Sequence, residues 1–210
     1  KARYPDNMII LHKTDIQVSA IEAALADVPR PSVDADRPAA LLSRCPKAAV
    51  TPLVSSLALA ERAGVGAVLV KDERARMGIG SFKALGAAYV IARDAENGAA
   101  RGKTYVTASA GNHGLSLAFG AKRFGAEAVV YIADTVPESF ADRLRSHGAT
   151  VMREGKDYEA AMGAAMRDSA VNGWTLLSDS SWADYYDRPH RLMEGYLVMA
   201  AEAARQLPAP

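Results

Sequence analysis

From residue 67 onward, short apolar runs alternate with longer stretches of helical period, and this rhythm constrains the fold more than any other feature. Ala67 to Lys71, Lys103 to Ala108, Glu127 to Ile132, Thr150 to Arg153 and Trp174 to Ser178 read as strands. Between and after them the pattern predicts helices: one opened by Ser81 and running towards Asn97-Gly98, then Asn112 to Phe124, Pro137 to His147, Asp157 to Val171, and Pro189 to Leu207. Polar caps, glycine stops and a proline in the first turn of the 137–147 segment punctuate them. Strands and helices in this order build a parallel sheet, because each right-handed crossover returns the next strand in the same direction. The expected fold class is α/β, a three-layer parallel sheet with helices on both faces. Ligands in such sheets bind beyond the carboxyl ends of the strands. The informative loops are then 72–82, 109–113, 133–137, 154–157 and 179–188.

The leading part is less regular. Residues 1–18 show no period. Ser19-Ala20-Ile21-Glu22 is a capping box whose helix should stop near Pro29 and Pro31. Pro29 to Pro46, rich in proline and charge, reads as a surface connection. Thr51-Pro52-Leu53 then leads an apolar helix, Val54 to Ala63, ended by Gly64-Val65-Gly66.

Composition removes several functions. A net charge of +1 over 210 residues gives no electrostatic attraction to nucleic acid or an anionic membrane, and neither partner is expected. No apolar run approaches the ~20 residues of a membrane span. Cys45 is the one cysteine, so no internal disulfide can form. With no signal peptide apparent, the expected location is a reducing cytoplasm. Cys45 itself reads as a small half-buried residue, not a nucleophile. No metal ligand set is expected.

Two runs could carry chemistry. Gly78-Ile79-Gly80-Ser81-Phe82-Lys83 opens one helix, and Ser109-Ala110-Gly111-Asn112-His113-Gly114 closes a strand and opens another. Both set glycines, hydroxyls and amides at helix N-termini, where free N–H groups and the dipole attract anions. A free lysine has a pKa of about 10.4 and is a poor nucleophile at neutral pH; reaching 7 takes about 4–5 kcal/mol of desolvation or neighbouring charge. Phe82, Leu85 and Val90 give Lys83 apolar neighbours, while a lysine snorkelling on a helix surface remains the alternative. The 109–114 run is likewise either a ligand loop or an ordinary glycine-lined turn, and His113 by itself reads as structural. Neither run is a Gly-x-Gly-x-x-Gly fingerprint or a P-loop, so a nucleotide-binding oxidoreductase ranks last.

Taken together, Ser81-Phe82-Lys83-Ala84-Leu85-Gly86 and Gly111-Asn112-His113-Gly114 resemble the fold-type II pyridoxal-phosphate enzymes, the relatives of threonine dehydratase, cysteine synthase and tryptophan synthase β. Thr51-Pro52-Leu53, Val70-Lys71-Asp72-Glu73, Tyr158 after Lys156-Asp157, Asp179-Ser180-Ser181-Trp182 and Glu194-Gly195-Tyr196 are most similar to the diaminopropionate ammonia-lyases within that group. The resemblance spans roughly residues 45 to 205.

It implies pyridoxal 5'-phosphate as cofactor, with Lys83 holding it as a Schiff base and moving the Cα proton. Asn112 would bond its phenolic oxygen, with Phe82 beside it. Ser109, Ala110, Gly111, His113 and Gly114 would line the seat of the substrate carboxylate. Asp179 would face the substrate's amino end, and Tyr158 would border the site; a capping role for Asp179 and a packing role for Tyr158 are the other readings of those residues. Asp72, Glu73 and Arg76 would fix the loop before Lys83. The implied reaction is α,β-elimination from a small amino acid such as 2,3-diaminopropionate, giving a 2-keto acid and ammonia. The alternatives are a serine, threonine or hydroxyaspartate dehydratase, or a non-catalytic subunit.

Two departures from that pattern matter. The ammonia-lyases carry an aspartate before Gly-Asn-His-Gly, the acid–base group for the D-isomer, and here Ala110 cannot move a proton. The family's glycine-rich phosphate cup and the hydroxyl that meets the pyridine nitrogen have no counterpart in this sequence. The expected organisation is therefore the N-terminal part of the full fold. Residues 1–80 would contribute to the larger cofactor domain, 81–190 would form the smaller α/β domain, and 191–210 a helix returning towards the larger one. A homodimer or a complementary chain would supply the rest.

Overall fold

The computed structural model describes residues 27–207, so the capping box at Ser19 lies outside them. The described residues divide into two compact units, 27–30 with Ser55–Val70, and Pro31–Val54 with 71–207. Before the main sheet come α1 (Asp36–Leu42), β1 (Leu53–Ser55), α2 (Leu57–Ala63) and β2 (Leu69–Lys71). In the first unit α2 stops at Gly64, whose φ of 65° is the left-handed cap that the glycine predicts.

Two expectations for this leading part are corrected. The 29–46 connection contains helix α1. Asp34 accepts the N–H groups of Asp36 at 2.9 Å and Arg37 at 3.4 Å, which serves as a cap. Pro38 falls in the first turn, where a missing N–H costs nothing, and it is buried with Leu42. The apolar helix also starts later than Val54. Ser56 has extended backbone and occupies the N-cap position, so Leu53–Ser55 is strand and the helix begins at Leu57. β-branched Val54 suits that strand.

The second unit carries the sheet. After a 3-10 turn (Glu73–Gly78) come α3 (Lys83–Glu96), β3 (Thr104–Ala108), α4 (Asn112–Arg123), β4 (Glu127–Ile132), α5 (Glu138–Ser146), β5 (Ala149–Arg153), α6 (Tyr158–Asn172), β6 (Thr175–Leu176) and α7 (Asp187–Gln206). The strands run parallel in the order β5-β4-β3-β6, with Val106 beside Val129 on one side and Leu176 on the other. Alternate residues define the layers. Tyr105, Val130 and Ile132 pack with Leu85, Leu115 and Leu144 on the face covered by α3, α4 and α5. Val106, Ala108, Val129 and Tyr131 pack against Ala161, Ala164 and Ala165 of α6 on the opposite face. The three-layer α/β fold is thus as the rhythm predicts, with one correction: the 67–71 run forms only the short strand β2, outside the four-stranded sheet, and its Leu69 and Val70 are exposed. Among the described residues no helix is long and apolar enough to cross a membrane.

Strand β6 is shorter than Trp174–Ser178. It pairs with β3 alone, and beyond Leu177 the Tyr185 hydroxyl takes over, accepting from Ser178 N at 3.0 Å and donating to the Leu176 carbonyl at 3.1 Å.

Helix α7 closes on α3 through Gly195, where a Cβ would stand 2.3 Å from the Leu85 carbonyl oxygen. Its last turns anchor the segment leading to Lys83. Arg76, 1% exposed, donates to Glu73 at 2.8 Å, to Glu202 at 2.6 Å, to Thr51 Oγ1 at 2.9 Å and to the Ala49 carbonyl at 2.8 Å. Lys71 adds a second cation 2.8 Å from Glu202. The cluster pairs two cations with two carboxylates, and it braces Met77, a buried non-glycine residue at φ 50°. Removing one partner of a buried pair strands the other charge. Arg76→Met is therefore expected to cost about 3–5 kcal/mol in urea unfolding. Arg74→Ala, at an exposed pair with Asp72, should leave the urea midpoint nearly unchanged.

Candidate active site

The chain leaves β3 for β4 on one side and later returns through β6 on the other, so the sheet changes direction at β3. Segments leaving β3 and β6 open a crevice beyond their carboxyl ends, the place where α/β sheets bind ligands. The first carries residues 109–114 and the second Asp179. Helix α3 reaches the same place because Ser116 of α4 donates to the Lys83 carbonyl at 2.6 Å. Ser81 accepts the Lys83 N–H at 3.2 Å, so it caps the helix as its position predicts.

Three groups meet there. The Lys83 amine lies 2.9 Å from Asp179 Oδ2, with the two side chains 28% and 26% exposed. His113 Nδ1 stands 4.0 Å from that same oxygen. The amine sits 5.5 Å from the Phe82 ring centre and 5.3 Å from that of Tyr196, and the two rings meet edge to face at 5.1 Å. Gly86 makes room for this wall, since a Cβ there would be 2.5 Å from the Tyr196 ring. The Tyr196 hydroxyl is buried beside the Lys83 amine and, among the described residues, has no partner at close hydrogen-bond distance.

Electrostatics in the crevice follow from burial and pairing. Burial lowers the Lys83 pKa, but the hydrogen bond to Asp179, the neighbouring Tyr196 hydroxyl and the Asp179 charge together outweigh it, and the amine titrates above its ordinary value. Burial raises Asp179, yet His113 and Lys83 bring the carboxyl below the usual range. Burial holds the His113 pKa down, which favours the neutral ring, and it pushes the Tyr196 hydroxyl up. The protein alone therefore stores Lys83 as an ammonium locked to a carboxylate.

The 109–114 run divides into inward and outward residues. Ser109 Oγ is buried and accepts the N–H groups of Gly111 at 3.2 Å and Gly114 at 3.1 Å, which folds the turn. His113 is 3% exposed and reaches the Leu177 carbonyl at 2.8 Å. Gly114 lets α4 start against Val130 and Leu144, where a Cβ would be 3.1 and 3.2 Å away. Ala110 and Asn112 are exposed and Gly111 is half-buried. Tyr158 opens α6 and is exposed; burial of its hydroxyl end and the charge of Asp179 raise its pKa. Asp157 caps that helix by accepting Ala160 N at 2.9 Å. Glu73 and Arg76 stay within the buried cluster before Lys83.

Sequence reasoning assigned no site role to Tyr196 or Ser116. The Glu194-Gly195-Tyr196 run was the available signal for the first, since a glycine inside a helix marks a close crossing beside which an aromatic ring can seat. An apolar cavity of about 490 Å³, lined by Leu42, Cys45, Met77, Ala88, Phe119 and Phe124 among others, lies away from the amine.

Residues 46–210 match the family described as pyridoxal-phosphate dependent enzyme. The diaminopropionate ammonia-lyase of Salmonella typhimurium is 33% identical over 184 residues, covering 78% of this chain and 46% of the relative. The L-serine dehydratase/L-threonine deaminase of Mus musculus is 31% identical over 160 residues, with 76% and 45% covered. Among solved structures, the diaminopropionate ammonia lyase of Escherichia coli in complex with an aminoacrylate-PLP azomethine reaction intermediate superposes with a TM-score of 0.76 at 29% identity, covering 82% of this chain and 47% of that one. The chain spans about half the length of the curated relatives it matches.

With Asp179 removed, burial opposes only the Tyr196 hydroxyl at the amine. Asp179→Asn is expected to lower the Lys83 pKa, so that labelling of Lys83 by an amine-directed reagent accelerates at mildly alkaline pH. An unchanged labelling profile would show that the ion pair does not govern the amine.

Proposed function

Because the chain belongs to the pyridoxal-phosphate dependent enzyme family, we propose that the protein carrying it is a pyridoxal-phosphate lyase that eliminates a β-substituent from a small amino acid. The observation that carries this reading is the half-buried Lys83 amine at the crevice beyond β3 and β6. It lies between the Phe82 and Tyr196 rings and beside a turn that opens a helix.

The residues present fit the aldehyde side of the cofactor. Lys83 supplies the amine, Phe82 an apolar wall and Asn112 an exposed amide able to meet a phenolic oxygen. The orphaned, buried hydroxyl of Tyr196 is a polar atom that a bound group beside the amine can satisfy. The phosphate is held elsewhere in this reading, by a glycine-rich cup from a complementary region or chain. On the same reading residues 81–190 form the smaller domain, and 1–80 with 191–210 serve the larger one. The protein works as a homodimer or with a complementary chain.

When bound, the cofactor takes up the charge left at the substrate's Cα. The chain's own residues do the rest. Lys83 binds the cofactor and, released, takes the Cα proton. The turn from Ser109 to Gly114, with the first N–H groups of α4, seats the substrate carboxylate. Asp179 receives the ammonium at the far end, with Tyr158 at its side. A β-ammonium group leaves as ammonia without needing a further acid, so 2,3-diaminopropionate suits a site whose distal group is a carboxylate. Ala110 favours a second reading, in which a β-hydroxyl amino acid is the substrate, as in the serine and threonine dehydratases.

Ala110 cannot accept the Cα proton of a D-amino acid, so activity is expected on the L-isomer. The purified protein, with any chain that accompanies it, should show a visible absorbance band with pyridoxal phosphate. L-2,3-diaminopropionate should remove that band faster than L-serine. Ala110→Asp should raise turnover of the D-isomer by about 100-fold, in the range a positioned acid–base group contributes. High D-isomer activity in the unsubstituted protein would contradict the role given to position 110, and no band with any chain present would contradict the lyase.

A further inference from the structure

The imidazole of His113 has a task that follows from its hydrogen bond. Its Nε2 lies 2.8 Å from the Leu177 carbonyl oxygen, and a carbonyl only accepts, so Nε2 carries the proton. The neutral ring therefore presents a bare Nδ1. That atom is buried, has no hydrogen-bond partner, and stands 4.0 Å from Asp179 Oδ2. A lone pair facing a carboxylate is repelled, unless a proton comes between them.

In the protein alone nothing forces the issue, because Oδ2 is held 2.9 Å away by the Lys83 ammonium. The charged groups acting on His113 are Asp179, from the segment after β6, and Lys83, at the start of α3. Asp179 is in turn faced by Tyr158 of α6, Tyr185 of the segment before α7 and Tyr196 of α7. When the amine is committed elsewhere, the carboxylate loses its short contact, and the nearest titratable atom is Nδ1. Closing 4.0 Å to a hydrogen bond takes a shift of about 1 Å.

We infer that His113 is the positioning residue for Asp179: its bare Nδ1, protonated from solvent, receives the carboxylate when the cofactor takes the Lys83 amine. One proton enters, the imidazole becomes an imidazolium, and Asp179 stays ionised and anchored where the substrate's ammonium arrives. The Leu177 carbonyl keeps the ring in place through the exchange. This rests on the lyase reading for the event that withdraws the amine and for the ammonium that Asp179 then meets; the hydrogen bond between His113 and Asp179 does not.

The test reads the ring directly and uses no turnover. Histidine ring ¹H–¹⁵N spectra are recorded over a pH series without cofactor, for the unsubstituted protein, Lys83→Ala, and Lys83→Ala with Asp179→Asn. The expected results are an Nε2–H tautomer in the first and an upward shift of the His113 titration in the second. That shift should be abolished in the third. A shift that survives Asp179→Asn reflects loss of the lysine charge alone and overturns the inference, as does an Nδ1–H tautomer. If Lys83→Ala does not fold, the unsubstituted protein with bound pyridoxal phosphate serves instead: Nδ1 should move to the imidazolium position, and an unmoved signal overturns the inference. Trapping of the cofactor on Lys83 with no shift in Lys83→Ala would leave the lyase standing and remove His113 from it. The shift in Lys83→Ala without any cofactor adduct would do the reverse.

Discussion

The Lys83–Asp179 ion pair joins side chains 96 residues apart, and it forms because the sheet reverses its strand order at β3. A late strand, β6, must return to the open side of β3 for Asp179 to arrive beside α3. The start of α3 must be carried there by α4, through Ser116 and the close packing of the two helices on one face. An amine and a carboxylate at 2.9 Å, each side chain about a quarter exposed, are costly to strip of water, and each offsets the other's desolvation. The pair is a storage state. Whatever displaces the carboxylate from the amine leaves Lys83 with burial as the leading influence, and burial alone makes a lysine more nucleophilic.

The packing around the pair explains why small residues recur in the helices that frame it. Gly195 lets α7 lie against the backbone of α3, and Gly86 admits the Tyr196 ring to the amine. Further along, Glu202 on the same α7 neutralises Arg76 and Lys71 under the segment that leads into Lys83. One helix therefore holds both the aromatic wall and the anchor of the approach. A change in its register would move Tyr196 and Glu202 together.

Much of the sheet was legible because a parallel sheet buries both faces of its strands, which makes Glu127–Ile132 and Thr104–Ala108 apolar runs bounded by glycine and polar caps. Gly64, Gly125, Gly148 and Gly173 stop helices or turn the chain at positive φ, as their positions suggest. Helix α1 was illegible for the opposite reason: its one proline, Pro38, sits in the first turn, where a helix tolerates it, and its cap, Asp34, is one acidic residue among several. Within the site, Lys83 and the 109–114 turn were found by residue type at helix starts. Tyr196, Ser116 and the Leu177 carbonyl were not, because their roles are created by a helix crossing and a strand end that no local pattern encodes. His113 stood in the right run, but its partner lies 64 residues away.

Family membership gives the amine its proposed task. The chain matches the pyridoxal-phosphate dependent enzymes over residues 46–210, and the start of α3 is where its crevice places a lysine. Borohydride reduction of the protein with pyridoxal phosphate, followed by peptide mass mapping, tests this most directly. The account predicts a reduced phosphopyridoxyl adduct on Lys83, and on no other lysine at comparable occupancy. Adducts spread over exposed lysines with Lys83 unmodified would contradict it.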